Sequence, residues 1–166
     1  DWVRFEHAQT VHPDDVQRMH GRFASMQPLH KASDAVTALE RLGPDRMKRF
    51  FPFRQLLDAG ARLAFGSDWP IVSCDPFEGI RAAVTGRDLD GTPTRTEENL
   101  HVEEAIRAYT TEARACVGLD GGTIAPDEPA DLVILDRDPL AIDWHVDPAP
   151  HVLSTVVASR LVHDVS

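Results

Sequence analysis

The chain has 166 residues, enough for one domain or for one domain with an appendage. Its composition, 42% hydrophobic and 27% charged, excludes a disordered chain. A formal charge of −10 argues against nucleic acid or an anionic membrane as a partner, because both bind cationic surfaces. No apolar run approaches the roughly 20 residues of a membrane helix. Two isolated cysteines, Cys74 and Cys116, are typical of a reduced protein, so a cytoplasmic location is expected.

The first two thirds of the chain alternate short apolar runs with helical patterns. Strands are predicted at residues 2–6, 23–28 and 61–66. Helices are predicted at residues 12–21, 33–42, the end of 46–60, 75–88 and 101–118. This alternation favours an α/β fold built from parallel βαβ units, whose short apolar strands are covered on both faces.

The last fifty residues have a different character. Glycines and prolines separate three strand candidates at residues 130–136, 152–158 and 160–165, and helical periodicity is absent. We therefore predict two domains, an α/β unit over residues 1–118 and strands of a small antiparallel β domain over residues 119–166.

Polar residues follow each predicted strand of the α/β unit. His7 ends the first strand, Gln27 the second, and Asp68 follows the third. The carboxyl ends of parallel strands meet at one edge of a sheet, so these side chains are expected to share an opening. Asp68 has two interpretations there: a carboxylate that caps the next turn, or one that binds a divalent metal and acts as a general base on water.

The histidines have simple alternatives of their own. A lone His7 is consistent with a partly buried imidazole bonded to a carbonyl, although Glu6 beside it resembles a carboxylate that supports a ligand histidine. His30, just past the second strand, is consistent with a loop residue at the rim. Nucleophile-elbow and phosphate-loop motifs are absent, so the sequence does not support a serine hydrolase or a nucleotide-binding protein.

Four segments in order resemble the amidohydrolase superfamily, specifically its YtcJ-like branch, also called amidohydrolase family 3. RFEHAQTVHPDDVQRM is similar to the segment after barrel strand six, FASMQPLHKASD to strand seven, and ARLAFGSDWPIVSCDP to strand eight. EEAIRAYTTEARACVGLDGGTIAPDEPADLVILDRDP is similar to the closing segment that leaves the barrel. The last strand pair, where the family usually turns at a glycine, has Ser159-Arg160 instead.

The resemblance implies roles for five residues. His7 is implied to be a metal ligand, and Asp68 a metal ligand that also handles the proton of the attacking water. Gln27 and His30 are implied to line the substrate pocket, with Trp69 at its edge. The implied cofactor is a divalent metal, with zinc expected as one or two ions, and the implied substrate is a small molecule with an amide-type C–N bond.

The resemblance also implies an incomplete barrel. The chain supplies the last three βα units of a TIM-type (β/α)8 barrel, which needs roughly 250 residues. The ligands of barrel strands one, four and five are expected before Asp1, so this fragment alone is expected to be inactive. The alternative is a non-catalytic barrel remnant that acts as a binding or assembly module, because open sheet edges favour pairing with another chain and thus a homo-oligomer.

Overall fold

The computed structural model describes residues 3–165 and contains two three-stranded sheets. Residues 1, 2 and 166, which the predicted first strand and domain limits include, lie outside this description. The first sheet is parallel and consists of β1 (Arg4–Glu6), β2 (Phe23–Met26) and β3 (Arg62–Phe65), in that order. The second is antiparallel and consists of β4 (Leu132–Leu135), β5 (Val152–Val157) and β6 (Arg160–Asp164).

Helices follow each strand of the parallel sheet. They are α1 (Pro13–Val16), which continues as a 3-10 helix over Gln17–Met19, α2 (Pro28–Met47), α3 (Phe53–Asp58), α4 (Pro76–Thr85), a 3-10 helix over Thr96–Glu98, α5 (Val102–Tyr109) and α6 (Thr111–Cys116). Among the described residues, no helix is long and apolar enough to cross a membrane. The observed βαβ order agrees with the predicted alternation.

The register of the parallel sheet brings its carboxyl ends to one edge. Glu6 lies opposite Ser25, and Ser25 lies opposite Ala64, so the three strands end almost level. Hydrogen bonds extend this alignment past the strands, from the His7 N–H to the Ser25 carbonyl at 2.7 Å and from the Gly66 N–H to the Met26 carbonyl at 3.1 Å. Whatever follows each strand therefore emerges on the same side.

Two predicted helix boundaries are wrong. Helix α2 begins at Pro28, five residues before the predicted start at residue 33. Gly43 (φ 70°, ψ 169°) is non-helical, so the first part of α2 ends near the predicted end at residue 42, and a second part continues beyond this kink to Met47. Pro28 occupies the first helical position, where a missing N–H costs nothing, so it starts the helix and does not merely stop the strand. The predicted helix 101–118 is divided at Thr110, whose backbone is non-helical (φ −116°, ψ −92°).

Aromatic side chains form the centre of the core between the parallel sheet and its helices. The rings of Phe50, Phe51, Phe53, Phe65 and Tyr109 follow one another with centroid separations of 4.8, 5.6, 5.3 and 5.5 Å. Such edge-on and tilted pairs stabilise a core by about 0.5–1.5 kcal/mol each beyond the burial of area. The cluster holds the sheet against α3 and α5 and so fixes the edge at which the strands end.

A buried ionic network supports the same core. Glu98 is 1% exposed and accepts hydrogen bonds from the Arg95 guanidinium at 2.6 Å and from the backbone N–H of Gln55 at 3.2 Å. Lys31 is equally buried, and its Nζ donates to the Arg95 carbonyl at 3.2 Å. Burial lowers the pKa of Lys31 to about 8. The network therefore links α2, α3 and the 3-10 helix at Thr96–Glu98.

Segments beside the antiparallel sheet contact the rest of the chain. Arg114 pairs with Asp131 at 3.1 Å, just before β4. Trp144, 3% exposed and beyond the predicted boundary at residue 118, packs in the main core beside Phe77. The division into two domains stays a prediction. The β5–β6 turn is formed by Ala158 and Ser159, both with positive φ (48° and 64°), one residue earlier than the predicted turn.

Replacing Ser159 by glycine is expected to stabilise the β5–β6 hairpin by about 1 kcal/mol. A non-glycine residue in the left-handed region costs roughly 1–2 kcal/mol, part of which is offset by the greater freedom of glycine in the unfolded chain. Amide hydrogen exchange of the β5 and β6 residues measures this. The control Ser154→Gly, in the extended part of β5, is expected to lower protection, and equal effects of the two variants would contradict the assignment of the turn.

Truncating Glu98 is expected to lower the free energy of unfolding by about 3–5 kcal/mol, because the buried Arg95 then loses its buried carboxylate and keeps only the exposed Glu97. Urea unfolding of the gene product that contains this chain measures the effect. The matched control is Glu97→Ala, since the Glu97 side chain is largely exposed and pairs with the same arginine. Its cost is expected to stay below about 1 kcal/mol.

Candidate metal centre

His7 leaves β1 in a backbone conformation that non-glycine residues seldom adopt. Its φ is 66°, and that of Ala8 is 42°. Histidine and aspartate tolerate this left-handed region better than most residues, but the conformation still requires support from its surroundings. The support here is the bond from the His7 N–H to Ser25, which ties the turn to β2. The turn carries the imidazole away from the strand and out over the edge of the sheet.

Asp68 follows β3 in the same way. Its φ is 56°, and its carbonyl accepts a hydrogen bond from the Ile71 N–H at 3.0 Å, which closes a tight turn. The Trp69–Pro70 peptide bond within that turn is cis, and the Trp69 side chain is 68% exposed. The Asp68 side chain accepts no backbone N–H among the described contacts, so the structure does not show the simple capping role.

His30 reaches the edge from a helix. Gln27 is the N-cap of α2, and His30 lies in the first helical turn, where its N–H donates to the Gln27 carbonyl at 3.0 Å. Both side chains are 5% exposed. Because α2 begins directly after β2, its first turn stands above the carboxyl end of the central strand, between the turns that carry His7 and Asp68.

The three residues form a cluster that can hold a metal ion. One ring nitrogen from each of His7 and His30 and one carboxylate oxygen of Asp68 lie within 4.8 Å of one another. The two imidazole rings are nearly parallel, with an interplanar angle of 10° and centroids 6.5 Å apart. A tetrahedral zinc with bonds of ~2.0–2.1 Å holds its ligand atoms about 3.4 Å apart, so ligand atoms at the 4.8 Å limit would have to approach by about 1.4 Å to bind one.

The donor atoms fit a metal chemically. Nε2 of His30 is buried and has no hydrogen-bond partner, which is costly unless a ligand occupies its remaining direction. Nδ1 of His7 lies 3.0 Å from Gln27 Oε1, and Nδ1 of His30 lies 3.4 Å from Gln9 Nε2. Nε2 is the remaining ring nitrogen of each histidine, and a lone pair on Nε2 of His30 requires the Gln9 amide to turn so that its oxygen accepts from Nδ1.

The fold brings three of the five predicted site residues into one cluster and places the other two beside it. His7, His30 and Asp68 converge, Gln27 contacts His7, and Trp69 lies exposed beside Asp68. The individual roles stay predictions. Sequence reasoning missed Gln9, whose only signal was its place two residues after His7 in the EHAQ motif. The Glu6 carboxylate, considered as a support for His7, pairs with Arg4, and hydrogen bonding by Ser25 lowers the pKa of Glu6.

Several other histidines have local roles. His12 caps α1 by accepting from the Asp14 N–H, and His20 lies 3.1 Å from the Ala59 carbonyl. The backbone N–H of His101 donates to Glu104 at the start of α5. These contacts give the three histidines local roles outside the cluster.

Two histidines and a carboxylate at the carboxyl edge of a parallel βαβ sheet make this an α/β protein with a candidate metal centre. A family model described as "Amidohydrolase family" matches residues 1–163 of this chain. The chain belongs to the amidohydrolase family, as its motifs indicated, and its solved relatives are amidohydrolase-superfamily barrels.

Three similar proteins illustrate the relationship. The putative amidohydrolase YtcJ of Bacillus subtilis is 33% identical over 98% of this chain and 32% of its own length. The N-substituted formamide deformylase of Arthrobacter pascens is 35% identical over 55% of this chain and 17% of its own length. The crystal structure of an uncharacterized metal-dependent hydrolase from Pyrococcus horikoshii superposes with a TM-score of 0.74 at 32% identity, covering 88% of this chain and 31% of that one. This chain thus spans about a third, or less, of the length of these three relatives.

Replacing His30 by glutamine is expected to weaken zinc binding by about tenfold or more, because a buried nitrogen ligand is lost. Competition with a chromophoric chelator, carried out on the full-length gene product, measures the dissociation constant. His163→Gln, on the exposed strand β6, is the matched control and is expected to leave the affinity unchanged. An unchanged affinity for the His30 variant would exclude that residue from the centre.

Proposed function

We propose that this chain is the C-terminal part of a metal-dependent amidohydrolase that hydrolyses an amide-type C–N bond of a small molecule. The observation that carries the proposal is the convergence of His7, His30 and Asp68 within 4.8 Å at the edge where the parallel strands end. In this proposal the three βα units are the last three of a (β/α)8 barrel, and residues 119–166 contribute strands to a small β domain.

The donor set favours zinc among divalent metals. Two imidazole nitrogens and one carboxylate oxygen are typical of catalytic zinc, which takes three protein ligands and keeps one position open. His30 enters this set as a ligand, in place of the pocket-lining role predicted for it, because its buried Nε2 has no other partner. When bound, zinc polarises the scissile carbonyl and activates water for attack.

Asp68 is the residue that we propose moves the proton. Its carboxylate accepts a proton from the attacking water as the water oxygen adds to the carbonyl carbon, and returns that proton to the leaving nitrogen as the C–N bond breaks. The exposed side of the cluster suits this exchange, since His7 and Asp68 face solvent while His30 closes the back. Trp69, exposed beside Asp68, is placed to contact the substrate at the mouth of the site.

The substrate class remains broad within this proposal. An N-acyl amino acid, a formamide or a cyclic amide presents the same reacting group, a carbonyl carbon bonded to nitrogen. Similarity to a formamide deformylase over 94 residues supports including N-substituted formamides in any substrate panel. We also propose a cytoplasmic location, because the two isolated cysteines are typical of a reduced protein.

The alternative is a binding or assembly module, and one observation favours it. In the described part of the chain β1 pairs on one side only; Phe5 on this strand is 42% exposed, and Val3 just before it is 43% exposed. An unpaired strand edge of this kind invites another chain, so this alternative predicts a homo-oligomer. It does not account for three metal-binding side chains meeting at the other end of the sheet.

Replacing Asp68 by asparagine is expected to lower kcat by about 10²–10⁴-fold, because the amide cannot accept a proton. Hydrolysis of a panel of N-acyl amino acids, formamides and cyclic amides by the full-length gene product measures the change. The matched control is Asp75→Asn, which keeps a side-chain acceptor at the N-cap of α4 and is expected to retain activity.

Full activity in the Asp68 variant would reject the proton transfer. A parent protein that neither binds zinc nor hydrolyses any member of the panel would reject the hydrolase proposal and favour the assembly module.

A further inference from the structure

The Gln27 side chain has no role in the chemistry proposed above, although it is 5% exposed at the centre of the site. A buried amide is costly unless its polar atoms are bonded. Its oxygen meets that requirement with His7, at 3.0 Å from Nδ1. This contact joins residues 20 positions apart, so it depends on the pairing of β1 with β2 and on no local motif.

The chemistry of this contact restricts the imidazole. An amide oxygen only accepts hydrogen bonds, so the proton of a neutral His7 must lie on Nδ1. The lone pair is then on Nε2, the form in which histidine binds a metal through that atom. The opposite tautomer would place two lone pairs 3.0 Å apart, one of them on the buried Gln27 amide.

Gln27 is well placed to impose this choice. It is held as the last residue before α2, with its own carbonyl bonded to the His30 N–H. The His7 backbone is held by the neighbouring Ser25. The same stretch of chain therefore fixes the position of the His7 main chain, the start of the helix that carries His30, and the amide that faces the His7 ring.

We propose that Gln27 is a positioning residue for the metal centre, which selects the Nδ1–H tautomer of His7 and holds its ring so that Nε2 faces the metal. In this proposal the Gln27 oxygen serves His7 and not the substrate contact predicted for this residue, because that oxygen is already bonded to the imidazole. The proposal rests on the proposed function, since it concerns the same metal.

The test compares zinc dissociation constants of four variants of the full-length gene product, measured by chelator competition. Gln27→Met keeps the approximate volume but removes the acceptor, and is expected to weaken zinc binding by about 10-fold or more. Gln27→Glu keeps an acceptor at the same reach and is expected to bind zinc within about threefold of the parent protein. Gln27→Asn keeps the amide but shortens it, and is expected to behave like the methionine variant.

The control is Gln55→Met, which removes a glutamine amide that bonds to Glu98 away from the site, and is expected to keep the parent affinity. Visible spectra of the Co²⁺-loaded proteins provide a second measurement, with an altered ligand field expected for Gln27→Met and the parent spectrum for Gln27→Glu.

Three outcomes would overturn the inference in distinguishable ways. Parent-like zinc affinity in Gln27→Met would show that the acceptor is not needed, while leaving the hydrolase proposal intact. Equal weakening in the methionine and glutamate variants would indicate a packing role without tautomer selection. A parent protein that binds no zinc would remove the metal centre itself, and the proposed function with it.

Discussion

The parallel pairing of β1, β2 and β3 is the constraint on which the candidate site depends. His7, His30 and Asp68 are separated by 23 and 38 positions, and no local structure could bring them within 4.8 Å. Level strand ends do so, because each chain segment leaves the sheet at the same height. The aromatic cluster and the buried Glu98 network act through this pairing: they hold the helices against the sheet and so keep its edge in place.

The two turns that carry His7 and Asp68 have strained backbone angles, and both place a side chain at the edge of the sheet. His7 and Asp68 both have positive φ, and each directly or closely follows a strand. Such conformations cost roughly 1–3 kcal/mol and persist only where the surroundings enforce them, which happens often at functional sites. In each case the turn lifts a ligand side chain above the sheet. His30 needs no such turn, because Pro28 starts a helix directly after β2 and the first turn of that helix already faces the edge.

Much of the fold was predictable from local patterns. Short apolar runs predicted β1, β2 and β3, and the change of composition near residue 119 predicted the antiparallel strands. The predicted helix boundaries were wrong where a residue is compatible with two local structures. Pro28 was taken as the end of a strand when it begins α2, and Thr110 interrupts a helix whose apolar spacing continues on both sides. Periodicity reports which face is buried, but it does not report a local change of backbone angles.

The amino-acid sequence alone carried the family, the parallel βα order and the residue types of a metal centre, because each of these is written in local motifs and spacing. The grouping of His30 with His7 and Asp68, and the bond from His7 to Gln27 instead of to its neighbour Glu6, arose from folding. Adjacent residues on a strand point to opposite faces, whereas residues on paired strands share one. Partners of this kind are fixed by the register between strands, which no single stretch of sequence contains.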